Sequence, residues 1–432
     1  MTSRRRLAPG VKPGAAQGTG GGAGEGASSA TQRGTRRRAI VDAAARLFNR
    51  RGLRGATLAE VAADVGLATN SITYYFRRKE DLAVACLLEA IEAVVAIAEE
   101  AATCRNGLQR AQAFLDGYLR LLADIDSGRR GELVRFHDIR ALEPGHRAQV
   151  VAAYVPMFRR VRALLGSPGG SPRMLRALNA RTLLLLTMAF WSRVWIRRYA
   201  IDDYPLVAAR IGDILSRGLA TPGATWSPPR WTGASPLEDP AEDEMRAAFL
   251  KAATLLLNEQ GYRGASIDRI SARINLTKGA FYHHHADKDE LISACFERSF
   301  AAIRRAQAAA ADGASGWDRL LRVAGTLACH QLSESGPLLR FTSRSALPEE
   351  MRAEARRTMD RLTQRYGHIV VDGIADGSIR PVDPSIAADM VTGAINAVVE
   401  LGHWLPGFDV DEALDLFLRP LMLGLGSDTL AG

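Results

Sequence analysis

Residues 56–82 read ATLAEVAADVGLATNSITYYFRRKEDL, and residues 265–291 read ASIDRISARINLTKGAFYHHHADKDEL. The two stretches are the heart of an internal repeat. At an offset of 209, positions 36–86 and 245–295 share 16 identities in 51 without a gap, several times what this composition gives by chance. The identities include Asn49 with Asn258, Gly52 with Gly261, Arg54 with Arg263, Lys79 with Lys288 and Cys86 with Cys295. Apolar positions correspond as well, Val61 with Ile270 and Val65 with Ile274 among them. A period this long means that one supersecondary unit occurs twice.

The unit is legible physically. Ile40, Ala44, Leu47 and Phe48 fall at i, i+4, i+7 and i+8 and predict one face of a helix that stops at Gly52, a residue suited to a left-handed C-cap. Thr57 and Glu60 have the spacing of a capping box and open a short second helix whose Leu58, Val61 and Val65 face inward. Gly66 then makes a tight turn. Asn275 stands there in the second copy, and Asn is among the non-glycine residues that best tolerate positive φ. Leu67 and Ile72 anchor a third short helix, as do Leu276 and Phe281 in the second copy. A helix, tight turn, helix pair can lay its second member in a DNA major groove. A small helical bundle jointed at glycine shows the same outline, but the duplication and the residue detail favour the DNA-binding reading.

Both quoted stretches resemble the DNA-binding signature of the TetR family of bacterial transcriptional repressors, in which a glycine turn, a Lys-Gly-x-apolar-Tyr recognition helix and a Lys-Glu-x-Leu helix start follow in order. The resemblance implies an all-α fold of two tandem units, each a three-helix helix-turn-helix head followed by a helical regulatory and dimerisation domain. The expected divisions are a flexible Gly- and Arg-rich arm over 1–33, a first head over 34–82 and a first helical body over 83–220. A Pro-rich linker over 221–240, a second head over 241–291 and a second body over 292–432 complete the chain.

Residue by residue, the resemblance gives the two copies different characters. In the second, Thr277 stands where a helix N-cap hydroxyl is expected, Lys278 and Gly279 match the Lys-Gly, and Tyr282 matches a phosphate-contacting tyrosine. Ala280, His283 and His284 complete that DNA-facing set. In the first copy Thr69, Asn70, Ser71 and Thr73 take the readout positions, with Asn70 in place of the glycine, Thr73 in place of the tyrosine and Ala68 in place of the capping hydroxyl. Tyr74, Tyr75 and Phe76 keep the closing aromatics. Lys79 and Lys288 match the lysine that opens the family's fourth helix, where exposed backbone N–H groups and a cation can hold one phosphate. Thr57 and Ser266 are either phosphate donors or plain helix caps.

Charge separates the copies further. The chain carries a net +9, yet residues 1–80 alone hold 15 Lys and Arg against 5 Asp and Glu, while residues 241–291 hold 7 against 8. The first head therefore has the electrostatics for phosphate and the second has the closer motif. Arg36, Arg37 and Arg38, where the arm meets the head, are candidate phosphate contacts, with a solubilising tail as the bland alternative. His283, His284 and His285 suggest a metal in isolation, but consecutive helical residues point about 100° apart and do not converge on one ion. Cys86 and Cys295 read as small core residues, with redox sensing as the minor reading.

No nucleophile elbow, phosphate-binding loop or Cys-x-x-Cys is present, so an enzyme is not expected, nor a cofactor or metal. No stretch reads as a membrane span or secretory signal, and the four cysteines suit a cytoplasmic protein. The resemblance implies double-stranded DNA with two half-sites as partner and a small, largely apolar effector that releases it. An effector-independent regulator is the alternative. Phe136, His137, Tyr154, Trp191, Trp195, His330, Phe341, His403 and Trp404 are candidates for lining effector pockets, with core packing as the blander role for most. The last two helices of each half, over about 174–219 and 386–425, would form the family's dimerisation bundle, making one chain its own pseudo-dimer across a flexible linker, with a dimer of chains as the alternative.

Overall fold

The computed structural model describes residues 23–233, 235–238, 243–275, 287–340 and 349–426. The described residues are all-α, with a single isolated bridge between Ala220 and Ile379 as their only β-type pairing. The first half contains α1 (Ala23–Gly55), α2 (Leu58–Asp64), α3 (Thr69–Tyr75), α4 (Lys79–Ala101), α5 (Gly107–Asp126), a 3-10 turn (Phe136–Ala141), α6 (Pro144–Leu165), α7 (Pro172–Trp195) and α8 (Tyr204–Arg217). The second contains α9 (Glu244–Gly264), α10 (Ile267–Arg273), α11 (Lys288–Ala309), α12 (Gly316–Leu332), α13 (Glu349–Ala375) and α14 (Pro384–Ala397). Two short helices, α15 (Val410–Ala413) and α16 (Arg419–Leu423), joined by a π-helical turn at Leu414–Leu418, end it.

The local signals of the repeat act as their chemistry predicts. Thr57 caps α2 in a reciprocal box, its Oγ1 accepting from Glu60 N–H at 3.2 Å while Glu60 Oε2 accepts from Thr57 N–H at 3.0 Å. The turn before α3 has φ 66° at Gly66, and its equivalent Asn275 has φ 55°, the one non-glycine at positive φ among the described residues. Asn keeps the turn because its short polar side chain lowers the steric penalty of that region.

Two expectations need correction. Gly52 (φ 68°, ψ 163°) and Gly261 (φ 69°, ψ 177°) do break their helices at the repeat-equivalent place, but in an extended positive-φ region open essentially to glycine alone, not in a left-handed helical C-cap. Residues 23–33, assigned to a flexible arm by composition, continue α1 as helix, which begins at Ala23. Their alanines and Glu25 are acceptable helix formers once a folded helix propagates into them, because only the first turn carries the nucleation cost.

The two halves share one core. From the first, α7 and α8 pack against α14 and the terminal segment of the second. Ion pairs cross this seam: Arg176 with Glu412 through two 2.7 Å bonds, Arg198 with Asp389 at 2.9 Å, Arg210 with Asp383 at 2.5 Å and Arg380 with Asp213 at 2.7 Å. Backbone bonds cross it too, Leu219 N–H to Met422 O at 2.8 Å and Arg380 N–H to Leu219 O at 2.9 Å. Residues 384–403 are long and apolar enough to cross a membrane by composition, but 67% of that window is buried inside the protein, as befits a seam helix.

The described part of the linker is not a free coil. Trp226 Nε1 donates to Asp415 at 2.7 Å, Trp317 Nε1 donates to Thr225 O at 3.0 Å, and Arg305 Nε donates to Leu237 O at 2.9 Å. Leu237 is buried. The reason is in the segment's own composition, since Trp226, Trp231 and Leu237 supply apolar area to bury and the prolines lower the entropy lost on ordering.

Ser235 of the linker makes a 2.7 Å hydrogen bond with Nδ1 of buried His330 on α12. Burial, with the nearby Arg298 adding to it, pushes the His330 imidazole from its ordinary 6.5 down to about 4. The unfolded chain therefore takes up this proton first as the pH falls, so the contribution is whole above about 6.5 and is lost progressively towards about 4. Its size is at most on the order of 3 kcal/mol. Unfolding free energies measured across that pH window should fall less steeply in His330→Gln than in the unmodified chain. Parallel slopes would show that His330 does not titrate in this way.

Candidate DNA-binding heads and the cavity beneath them

The first head presents α3. Ile72 is fully buried and Phe76 nearly so, which pins the inner face, while Thr69, Asn70, Ser71, Thr73 and Tyr74 are exposed on the other sides. Tyr74 is 72% exposed, an unusual state for a large aromatic, and is held edge-on by half-buried Tyr75 at 5.2 Å. The Thr73 hydroxyl donates to Asn70 O at 2.9 Å, and Ala68 offers the helix no side-chain cap. Lys79 is the first residue of α4, next to exposed Arg77 and Arg78.

The other sequence-selected residues divide. Arg36, Arg37 and Arg38 are exposed on α1, but Arg37 is also engaged within the head, its guanidinium 5.3 Å from the centroid of the Phe76 ring. Thr57 spends its hydroxyl proton on Glu60 Oε2 at 2.9 Å, so capping is the role its geometry displays. Ser266 likewise accepts from Arg269 N–H at 3.3 Å at the start of α10, and Lys288 opens α11. Thr277, Lys278, Gly279, Ala280, Tyr282, His283 and His284, with His285, lie outside the described residues. In the second head Arg273 pairs with Glu259 at 3.0 Å and Arg269 bonds Gln260 at 2.6 Å, as Arg46 pairs with Asp64 at 2.7 Å in the first. Cys86 and Cys295 are buried, each with Sγ 3.6 Å from a carbonyl of the head's first helix, and burial pushes the Cys86 thiol up, away from thiolate reactivity.

One functional pair lay unrecognised among the repeat identities. Asn49 on α1 accepts from Arg135 N–H at 3.0 Å and donates to Leu133 O at 2.9 Å. Asn258 on α9 does the same in the second half, accepting from Arg340 N–H at 2.8 Å and donating to Leu338 O at 3.0 Å. Each asparagine thus ties a head to the loop that follows the second long helix of its body. The signal was a polar identity just before the glycine break of an otherwise amphipathic helix.

Those loops wall a cavity of about 1190 Å³ bounded chiefly by α4 to α7. Phe136, Tyr154 and Trp191 line it, and so do His403 and Trp404 of the second half. Trp195 is buried elsewhere in the core, His330 is bonded to the linker, and Phe341 and the His137 side chain lie outside the described residues. Tyr154 is packed against Phe136, with ring centroids 5.5 Å apart, and burial raises its phenol well above the usual range.

A helix-turn-helix head on an all-helical body is an arrangement suited to DNA, and the described part of the second head repeats the first two helices of the first. Residues 40–86 and 249–295 each match the family described as bacterial regulatory proteins of the tetR family, and residues 313–401 match a tetracycline-repressor-like C-terminal domain. The TetC protein of transposon Tn10 from Escherichia coli is 38% identical over 73 residues, which are 17% of this chain and 37% of that protein, so the similarity spans little more than a third of this curated relative. Among solved structures, apo AibR is 20% identical with a TM-score of 0.35, covering 39% of this chain and 94% of its own. The TetR-family regulator PfmR of Thermus thermophilus is 20% identical with a TM-score of 0.33, covering 40% and 95%. The chain thus carries, in tandem, two segments that match the head of tetR-family regulators and, after the second, one that matches a C-terminal domain of that kind.

Removing Asn49 leaves a backbone donor and a backbone acceptor without their partner. Asn49→Ala should therefore cost about 1–3 kcal/mol in chemical or thermal unfolding, and Asn258→Ala a similar amount. A loss within experimental error for both would show that the loops hold the heads by other means.

Proposed function

We propose that the chain is a non-enzymatic repressor, acting in the cytoplasm, whose two heads grip one operator as an intrachain pseudo-dimer and release it when a small, largely apolar effector binds. The observation that carries this reading is that two head domains of one DNA-binding family stand on bodies that share a packed, ion-paired seam within one chain. A heads-plus-body division close to 34–82 and 83–220, then 241–291 and 292–432, is the functional organisation we infer.

In this reading Thr69, Asn70, Ser71 and Thr73 of the first head face base edges, and Tyr74, Tyr75, Lys79 and the Arg36–Arg38 run face phosphates. In the second head Lys278, Gly279, Ala280, Tyr282, His283 and His284 take those roles, with Thr277, Ser266 and Lys288 on the backbone. Unequal charge and unequal recognition sequences make the operator asymmetric. The effector acts only through differential affinity: it binds the head arrangement that mismatches DNA better, and DNA weakens effector binding by the same factor.

Selection of bound sequences from random duplex DNA should return two dissimilar half-sites about one helical turn apart or somewhat more. Lys278→Ala with Tyr282→Ala should relax one half-site, and Asn70→Ala with Thr73→Ala the other, by about 1–3 kcal/mol of discrimination at each lost contact. Sedimentation of the complex should give one chain of 46.7 kDa per operator. A symmetric consensus bound by two chains would overturn the pseudo-dimer.

A further inference from the structure

Arg135 and Arg340 occupy equivalent positions, each with its backbone N–H held by the clamp asparagine of its own head, and both line the same cavity. Their side chains meet different surroundings. Arg340 Nη1 pairs with Glu400 at 2.8 Å, and the other oxygen of Glu400 takes Arg140, so the positive charge on that wall has a carboxylate of its own. Among the described residues Arg135 has no carboxylate of its own, and its buried Nε, like that of Arg340, makes no hydrogen bond. The nearest candidate for neutralising it, Glu132, is already occupied by Asn49 at 3.0 Å and Arg193 at 3.2 Å.

The charge on Arg135 is nevertheless real at neutral pH. Burial, reinforced by Arg193, pushes the guanidinium down only to about 10. Six arginines and three glutamates are among the described lining residues, so the cavity as a whole is positive. The lining also has a large apolar share, including Leu122, Phe136, Leu186 and Phe190, while Tyr118 and Arg193 are polar neighbours of Arg135. A buried cation beside an apolar wall is costly until an anion pairs with it, and guanidinium binds carboxylate-like groups through short charge-assisted bonds.

We propose that this cavity binds an amphipathic anion, its carboxylate or similar charged end held by Arg135 and its apolar body laid against Phe136, Leu186 and Phe190. This names the chemical class of effector for the regulatory reading above and rests on it. The ligand's charged end then sits on the side chain of a residue whose own N–H is bonded to Asn49 of the first head. The lining also includes Glu259 and Gln260 of α9, so the cavity touches the second head as well.

The test uses the full chain without DNA and two probes of equal length, decanoate and the neutral decanol, with binding read by calorimetry and by the fluorescence of cavity tryptophans Trp191 and Trp404. Decanoate should bind at least about tenfold more tightly, about 1.4 kcal/mol. Arg135→Gln should erase that preference, while Arg340→Gln should keep it. Equal binding of the two probes, binding of neither, or loss of the preference in Arg340→Gln instead of Arg135→Gln would overturn the proposal. The two-probe comparison on the unmodified chain decides the matter if Arg135→Gln does not fold. Because binding is read on free protein, failure of decanoate to release DNA counts against the repressor reading alone.

Discussion

The rest of the molecule depends on the seam where α7 and α8 meet α14 and the terminal segment. It is built like a core, with fully buried Leu184, Leu185, Ile211, Val391 and Phe417, and ion pairs such as Arg198–Asp389 and Arg210–Asp383 cross it. Asp389 shows the constraint: it is almost wholly buried, burial raises its carboxyl to about 6, and the neighbouring Arg198 guanidinium opposes that shift. Losing one member of such a pair leaves the other charge stranded, so the pairs fix the alignment of the halves more than they add to its strength. With that alignment set, Glu400, Arg340 and Trp404 arrive at the wall of the first body's cavity, and Phe158 stacks on Trp404 across the same boundary.

The sequence made the heads legible because their signals are local. A capping box, a glycine break and a positive-φ turn act within a few residues, and a second copy let each be checked against the other. The turn at Asn275 is the sharpest instance, since asparagine there is comprehensible only if glycine stood for a backbone angle in the first copy. The bodies were legible as helices but not as chemistry. Asn49 is far in sequence from Leu133 and Arg135, and Arg135 and Glu400 lie in different halves, so neither the clamp nor the uncompensated guanidinium has a periodicity to betray it. The linker misled for a related reason: proline content indicates where helix stops, but not whether the extended chain that follows finds a surface.

Equivalent residues in the two halves share some duties and have parted over others. Gly66 and Asn275 keep one geometry with two residue types, and Asn49 and Asn258 keep one clamp. Arg135 and Arg340 keep one backbone role but differ in whether a carboxylate answers the side chain. Arg269 and Arg273 of the second head are bonded within it, as Arg46 and Arg51 are within the first, which also carries Arg77, Arg78 and Lys79 around the end of α3. Structural duties are thus conserved between the copies, and the differences collect where a ligand or a nucleic acid would touch.

The covalent join through the linker over 221–240 changes how such differences can accumulate. In a dimer of identical chains every substitution is made twice and a wall can never differ from its mate. Here a carboxylate placed at position 400 answers Arg340, with Arg140 on its other oxygen, and leaves Arg135 open, because the gene spells each side separately. Fusion gives up the economy of a symmetric assembly and gains a binding chamber whose opposite faces are independently adjustable.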